Sequence, residues 1–500
     1  MTRRGVLKTG AAAAFVRPAA LRPSRPHVLF LMADQFRGDC LASDGNHAIR
    51  TPNLDRIARE GARFRCAYSS TPTCTPARSA LLTGLSPWNH GMLLMFGMAE
   101  QYPFEKARAM RAAGYFTASI GKNHYNPQRN AHGYQLMLLD ESGRVQHPEY
   151  RSDYRSWFYS EAPTLNPDAT GIGWNDYPAR PYALPERLHP TRWTGDTAVH
   201  FIEGYNAAEP FFLKVSFARP HSPYDPPERF FRMYQDADLP KAQVGKWAAK
   251  FAPRSSGRDD LWHGDLGAEQ VRRSRQGYYG SISFVDEQIG RILESLEKRR
   301  MLDETLILFT SDHGDMTGDH HLWRKSYPYE SSARIPMLMR WAEGMGAGAR
   351  GQVLTNPVEL RDILPTCLDA AGTAAPRPLD GRSLLELARG KTADWREFID
   401  LEHGVCYHDE NDWNALCDRN WKYIYHARRG LEQLFDLQRD PHELNDLSGD
   451  AAAAGELNRW RGRLLAHLSV RGEPWVVNGK VSPRPKAIRQ SPNFPAQPRK

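Results

Sequence analysis

Four apolar runs of strand length each stop at a cluster of ionisable residues, and this pattern restricts the fold more than any other feature of the chain. His27–Ala33 (HVLFLMA) ends at Asp34, and Tyr115–Ile120 ends at Gly121-Lys122-Asn123-His124. Phe211–Ala218 (FFLKVSFA) ends at Arg219-Pro220-His221, and Thr305–Thr310 (TLILFT) ends at Ser311-Asp312-His313-Gly314. Pro336–Trp341 makes a fifth run. Short continuous apolar runs read as strands buried on both faces, as in a parallel sheet. Helical spacing fills the intervals. Leu54, Ile57 and Ala58 share a face of a helix that Thr51-Pro52-Asn53-Leu54 is expected to open and that runs through Arg63, with Asn53 able to cap it. Val285, Ile289, Ile292, Leu293 and Leu296 recur at helical period within a second helix, residues 282–300. Strands alternating with helices predict an α/β fold built on a large, mostly parallel β-sheet flanked by helices. Ligands of such sheets bind just outside the carboxyl ends of the strands. If the four runs are neighbours, Asp34, Lys122, His124, His221, Asp312 and His313 meet on one rim.

At 500 residues the chain exceeds one small core. The Pro-containing stretch Ala374–Leu379 marks the end of the large domain. Beyond it, Trp421–Tyr425 and Leu431–Leu437 flank His426–Gly430 as a hairpin, and a helix follows near 455–469. This predicts a smaller C-terminal α+β subdomain with a short antiparallel sheet. The expected divisions are 1–25 as an export signal, 26–385 as the catalytic domain, 395–480 as the C-terminal subdomain, and 481–500 as a basic, Pro-rich tail. Residues 127–195, rich in Pro, Tyr, Asp, Arg and Trp and without clear periodicity, read as a long loop insertion over the site. Thr2-Arg3-Arg4-Gly5-Val6-Leu7-Lys8 resembles a twin-arginine export motif, followed by the apolar stretch Thr9–Val16 and by Pro18-Ala19-Ala20 as a cleavage site. That places the protein in the periplasm or outside the cell. No run of about 18 apolar residues occurs, so no transmembrane helix is expected. The net charge of +8 favours anionic substrates. Zinc-finger spacing, RNA-binding aromatic patterns and compact basic blocks are missing from the body of the chain, so nucleic acid is not an expected partner. Six cysteines with no CxxC spacing do not make a disulfide scaffold, although Cys406 and Cys417 could pair.

The remaining feature is Cys74-Thr75-Pro76-Ala77-Arg78-Ser79-Ala80-Leu81-Leu82-Thr83-Gly84. Pro76 stiffens a turn, and the residues after it can enter a helix. Cys74 and Arg78 then sit near a helix start, where free backbone N–H groups favour an anion. Taken alone, this is a buried thiol near an arginine. Set beside the strand ends it is more specific. Cys74-Thr75-Pro76-Ala77-Arg78 fits C-x-P-x-R, Gly114–His124 fits G-Y-x-T-x-x-x-G-K-x-H, and Thr310–Asp315 is followed by Lys325. In these three segments, over about residues 26–445, the chain resembles the formylglycine-dependent (type I) sulfatases of the alkaline phosphatase superfamily.

The resemblance implies an alkaline phosphatase-like fold and a sulfuric ester hydrolase. A separate maturation enzyme would oxidise Cys74 to Cα-formylglycine, whose hydrate carries two hydroxyls. One attacks sulfur as the alcohol leaves, and the other then expels sulfate, so one hard step becomes two. Asp34, Gln35, Asp312 and His313 match the metal positions, with the residue at 74 beside them. Arg78 and Lys122 would hold the formylglycine oxygens, and His124 would act as the base that releases sulfate. His221 and Lys325 would grip the sulfate and protonate the leaving oxygen. His321 and Arg334 are the candidate substrate contacts. Asp34-Gln35 stands where many sulfatases have Asp-Asp, and Asp312-His313 where many have Asp-Asn. The amide suits Ca2+ and the imidazole suits Mn2+ or a similar ion, so the expected cofactor is one divalent cation, calcium with manganese as the alternative. The same pairs occur in choline-sulfatase-like and phosphonate-monoester-hydrolase-like relatives. The expected substrate is a sulfated carbohydrate, with a phosphonate monoester or phosphodiester, or a small choline-sulfate-like molecule, as alternatives.

Overall fold

The structure is a computed structural model that describes residues 25–141, 144, 148–409 and 411–496. The export segment therefore lies outside the described residues, apart from Arg25. The main sheet has eight strands: β1 His27–Asp34, β2 Ala62–Phe64, β3 Phe116–Gly121, β4 Leu136–Leu139, β5 Phe211–Pro220, β6 Thr305–Ser311, β7 Met337–Arg340 and β8 Gln352–Leu354. Their order across the sheet is β4-β3-β5-β1-β6-β7-β2-β8. All the pairings are parallel except those that β7 makes with β6 and β2. β1, β5 and β6 are buried along their whole length, as their unbroken apolar character requires. The fifth apolar run is thus a strand, but the one that opposes the others. β3, β5, β1 and β6 are consecutive neighbours, so the four strand ends singled out above do share one rim.

Helices cover both faces. The long helix Gly267–Lys298 extends well upstream of the expected 282. It packs Ile282, Val285, Ile289, Ile292 and Leu293 against Leu29, Leu31, Phe309 and their neighbours. The first helix, Pro52–Arg59, ends earlier than expected. A Cβ at Gly61 would come within 1.9 Å of the Met339 carbonyl oxygen, and this close approach turns the chain into β2. Arg63 accordingly lies in a strand. Asn53 does not cap that helix. The N-cap is Thr51, and the Asp286 carboxylate of the long helix accepts the Asn53 and Leu54 N–H groups at 3.2 and 2.8 Å. The stretch 127–195 holds more regular structure than a loop: edge strand β4, a helix Asp153–Glu161 and the start of the helix Pro190–Gly204.

The C-terminal sheet is antiparallel, with β9 Ile399–His403, β10 Trp413–Cys417, β11 Trp421–His426 and β12 Leu431–Asp436 in chain order. Leu457, Trp460, Leu464 and Leu468 of the helix Ala454–Ser469 pack on Leu416, Tyr423 and Leu434. Leu401, Trp413, Ala415 and Ile424 pack instead with Tyr68, Met316, Tyr327 and Tyr329 of the large domain. Lys422 Nζ bridges Glu330 and Glu443 at 2.7 and 2.8 Å across this junction. The tail is docked along its described length: Ser491 N donates to Gly91 O at 3.0 Å, and Arg484 donates to Asp412 at 2.8 Å. All six cysteines are free, including Cys406 and Cys417. No helix among the described residues is long and apolar enough to cross a membrane.

One core residue is at odds with its surroundings. Lys106 is 2% exposed, with Nζ 4.2 Å from the Phe30 ring centroid and no carboxylate bound to it among the described residues. Burial pushes its ammonium from the ordinary 10.5 down to about 8. The unfolded chain binds this proton more tightly than the folded one does. The penalty is therefore full below pH 8 and fades as pH rises toward 10.5. Lys106→Met is expected to stabilise the protein by about 3 kcal/mol at neutral pH, with the gain shrinking above about pH 8. Denaturant midpoints across that pH range measure it, and a gain independent of pH would refute the assignment.

Candidate active site

Cys74 opens the helix Cys74–Thr83, whose ten residues are all buried. Thr73 precedes it in an extended conformation, and Gly84 closes it in the left-handed region. The helix start places Cys74 Sγ 3.2 Å from His313 Nε2. One ligand atom from each of Asp34, Cys74, Asp312 and His313 falls within 4.8 Å of the others. His313 Nδ1 donates to the Gly314 carbonyl at 2.9 Å, which turns Nε2 toward this group. Asp34 Oδ1 is fully buried and has no hydrogen-bond partner among the described residues.

Arg78, one turn into the helix, is 2% exposed. Its Nη2 donates to Asp34 at 3.0 Å and its Nε to Asp312 at 2.9 Å, while Nη1 donates to the Lys122 carbonyl at 2.7 Å. Lys122 Nζ pairs with Asp34. Burial alone would raise the Asp34 carboxyl, but Lys122, His221, Arg78 and His313 hold it well below the usual carboxylate range. Burial and Asp34 push the Cys74 thiol up, yet Lys122, Lys325 and His313 bring it below its ordinary value. Burial would lower the His313 imidazole, but Asp312, Cys74 and Asp34 raise it.

His221 and Lys325 form a second cluster. Lys325 Nζ lies 2.7 Å from His221 Nε2 and also donates to Gln35 Oε1 at 2.9 Å and Asn175 Oδ1 at 3.1 Å. His221 Nδ1 donates to the Ser222 carbonyl at 2.8 Å, so Nε2 is the acceptor for Lys325. Burial, Lys325 and Lys122 hold His221 well below its ordinary value, in its neutral form. Gln35 donates its backbone N–H to Asp312 Oδ1 at 3.1 Å, and its side-chain amide spans Lys325 and Asp315. Its oxygen must leave the lysine to reach a cation.

Gln35 and His124 both have left-handed backbones, with φ of 67° and 60°. Such strain in non-glycine residues collects at functional sites. The His124 conformation is held by Glu141, whose Oε1 accepts the Asn123 and His124 N–H groups at 3.0 and 2.9 Å. Asn123 Oδ1 in turn accepts from Ser119 Oγ and Lys214 Nζ, both at 2.8 Å. His124 Nδ1 is buried without a partner among the described residues. Burial, then Arg144 and Lys122, keep this imidazole well below its ordinary value.

The two candidate substrate contacts are not brought to this group. The Arg334 guanidinium is committed to Asp44 at 2.9 Å and Glu330 at 3.1 Å. His321, half-buried, is fixed through its backbone to Gly318 and Gly264. Glu141 and Lys214 carry no role in the expectations from sequence, whereas Trp174 ends the aromatic stretch Tyr150–Trp174, for which stacking on sugar rings and ordinary loop packing are both expected. Glu141 follows an apolar strand, Leu136–Leu139, and the strand-end signal applied to that run would have found it.

The family model described as "Sulfatase" matches residues 26–373, and "N-sulphoglucosamine sulphohydrolase, C-terminal" matches residues 318–467. An arylsulfatase of Clostridium perfringens is 37% identical over 471 residues, covering 91% of this chain and 97% of that protein. A choline-sulfatase of Rhizobium meliloti is 31% identical over 448 residues, covering 85% and 82%. Among solved structures, the phosphonate monoester hydrolase of Agrobacterium radiobacter superposes with a TM-score of 0.75 at 26% identity, covering 92% of this chain and all of that one.

Proposed function

The chain belongs to the sulfatase family and is a sulfuric ester hydrolase, and from that premise we propose that it removes sulfate from a sulfated carbohydrate, using Cα-formylglycine made from Cys74 and one divalent cation. The observation that carries this reading is the gathering of Cys74, Asp34, Asp312 and His313 within 4.8 Å, ringed by Arg78, Lys122, His221 and Lys325. The match of residues 318–467 to the sulphoglucosamine model supports the carbohydrate.

The residues present fit both groups. Asp34 Oδ1, buried and unpartnered, lies among donors of the kind a hard cation takes, with His313 Nε2 adding a softer one. Asp34, Asp312 and His313 would hold the cation, with Gln35 at its edge, and calcium or manganese satisfies that set. The cation supplies positive charge beside the reacting oxygens. The hydrate of formylglycine supplies one hydroxyl to attack sulfur and a second to expel sulfate.

The chain's own side chains do the rest. Arg78, fixed by two carboxylates, would supply a rigid positive charge to residue 74, and Lys122 another. Lys325 holds its proton against the neutral His221 Nε2, which gives the pair a route to protonate the departing alcohol oxygen. His124, neutral and with Nδ1 unpartnered, would take the proton whose loss releases sulfate. Glu141 holds His124 in its strained backbone. Glu141→Ala is expected to lower kcat about 10- to 100-fold with little change in KM, while Glu141→Gln keeps an accepting oxygen and most of the activity. A KM effect larger than the kcat effect would count against that role.

Peptide mass spectrometry across Cys74 tests the central claim. Active native protein is expected to carry the aldehyde, and an intact thiol in active protein rules the mechanism out. The second reading, a phosphonate monoester or phosphodiester hydrolase, is favoured by the Asp34-Gln35 and Asp312-His313 pairs and opposed by Lys122 and His124. Turnover of an aryl sulfate against an aryl phosphonate decides between them.

A further inference from the structure

Among the described residues of the insertion, Trp174 presents its ring to the site. Its indole stacks on His221, with ring centroids 3.8 Å apart and planes inclined by 17°. Lys122 Nζ lies 4.6 Å from its centroid. Trp174 is half-buried, so part of its side chain remains open to an incoming group.

The loop that carries it is anchored. Asn175, in the left-handed region with φ of 77°, accepts Lys325 Nζ at Oδ1, 3.1 Å away. Ser222 Oγ, on the residue after His221, is 3.2 Å from the Gly173 carbonyl and 2.7 Å from the Asp176 carbonyl. Gly173 N donates to Asp176 Oδ2 at 2.7 Å, and a Cβ at Gly173 would come within 2.5 Å of that same oxygen. A side chain at 173 would displace the Asp176 carboxylate from this turn. The indole is therefore preorganised on both sides by the pair that serves the leaving oxygen.

We infer that Trp174 is the wall on which the ring of the sulfated alcohol packs, making the enzyme selective for sulfate esters carried on a flat-faced ring over those of small acyclic alcohols. The inference rests on the proposed roles of His221 and Lys325. If they serve the leaving oxygen, the carbon attached to that oxygen must emerge beside the indole stacked on His221. An indole face receives an aryl ring or the C–H face of a pyranose, and a methyl group covers too little of it to gain much. Trp174 is a specificity residue in this account, separate from the groups that move protons.

The test compares kcat/KM of the wild type, Trp174→Phe, Trp174→Leu and Trp174→Ala on 4-nitrophenyl sulfate, glucose 6-sulfate and methyl sulfate. Differences in leaving-group reactivity cancel when each variant is divided by the wild type on the same substrate. Leu and Ala are expected to lose about 10- to 100-fold on the two ring substrates, mostly through KM, and at least about threefold less on methyl sulfate. Phe, which keeps a flat ring, is expected to retain most of the ring preference. An equal loss on all three substrates would show that the indole only supports His221 and Lys122, and would overturn the inference, as would no loss on any. Leu keeps bulk, so it answers the question if Ala does not fold. The carbohydrate reading fails separately: a wild type that hydrolyses 4-nitrophenyl sulfate but not the sugar sulfate removes the sugar and leaves the comparison of ring with alkyl intact.

Discussion

Cys74→Ala is expected to lower turnover by at least about four orders of magnitude while moving Tm by no more than about 4 °C. The two halves of this result have different causes. Alanine removes the only group at that position able to become an aldehyde. The fold survives because the ten-residue helix retains its backbone and its buried apolar face, losing one sulfur atom from a polar pocket. Cys74→Ser, kept from maturation, separates attack from release. Its single hydroxyl can displace the alcohol once but has no second hydroxyl with which to shed sulfate. A burst of about one equivalent of alcohol followed by arrest is the signature. Steady turnover by either unmodified variant would exclude the mechanism.

Arg78→Met is expected to cost about 3–5 kcal/mol of stability as well as activity. The guanidinium lies between Asp34 and Asp312, each at 0% exposure. Its charged state is raised by burial-resistant pairing with both: desolvation opposes the charge, and Asp312 and Asp34 more than restore it. Methionine fills a similar volume but leaves two buried carboxylates facing each other with Lys122 as the remaining close cation. Urea denaturation of the apo protein measures the loss. A change below about 1 kcal/mol would mean that the carboxylates do not depend on Arg78 for their charge. The companion activity assay should show a loss of about a thousandfold, because one preorganised donor is gone and the helix start is no longer tied to the strand ends.

The sequence was most legible where a residue's position follows from its strand. Asp34, Lys122, His221 and Asp312 come together because four apolar strands run side by side in one direction and each ends at the same level. That rule needs no knowledge of loops. It failed where the partner is distant. Asp286 supplies the cap that Asn53 was expected to give, from 233 residues away. Arg334 looked free to meet substrate, and Asp44 and Glu330 claim it. β7 reads as a strand in either direction, so its reversal was invisible. β4 is a half-buried edge strand inside a stretch of turn-forming residues, and missing it also hid Glu141. The place of Trp174 depends on Ser222, Asn175 and Lys325 all finding one short turn. Nothing in the local spacing of those residues announces that meeting.

The burial of the Cys74 helix bears on when the enzyme can be made. At 2% exposure, with every residue of Cys74–Thr83 inside the protein, the thiol is out of reach of any separate oxidising enzyme once the chain has folded. On the proposed mechanism, maturation and folding are then competitors for the same nascent segment. The fraction of active molecules records which was faster, and an unmodified molecule that folds first is lost to catalysis for as long as it stays folded. Overexpression that outruns the maturation enzyme would yield protein that is well folded, correctly sized and largely inert. Slower folding of the strands around Cys74, usually a defect, would here raise the activity per molecule.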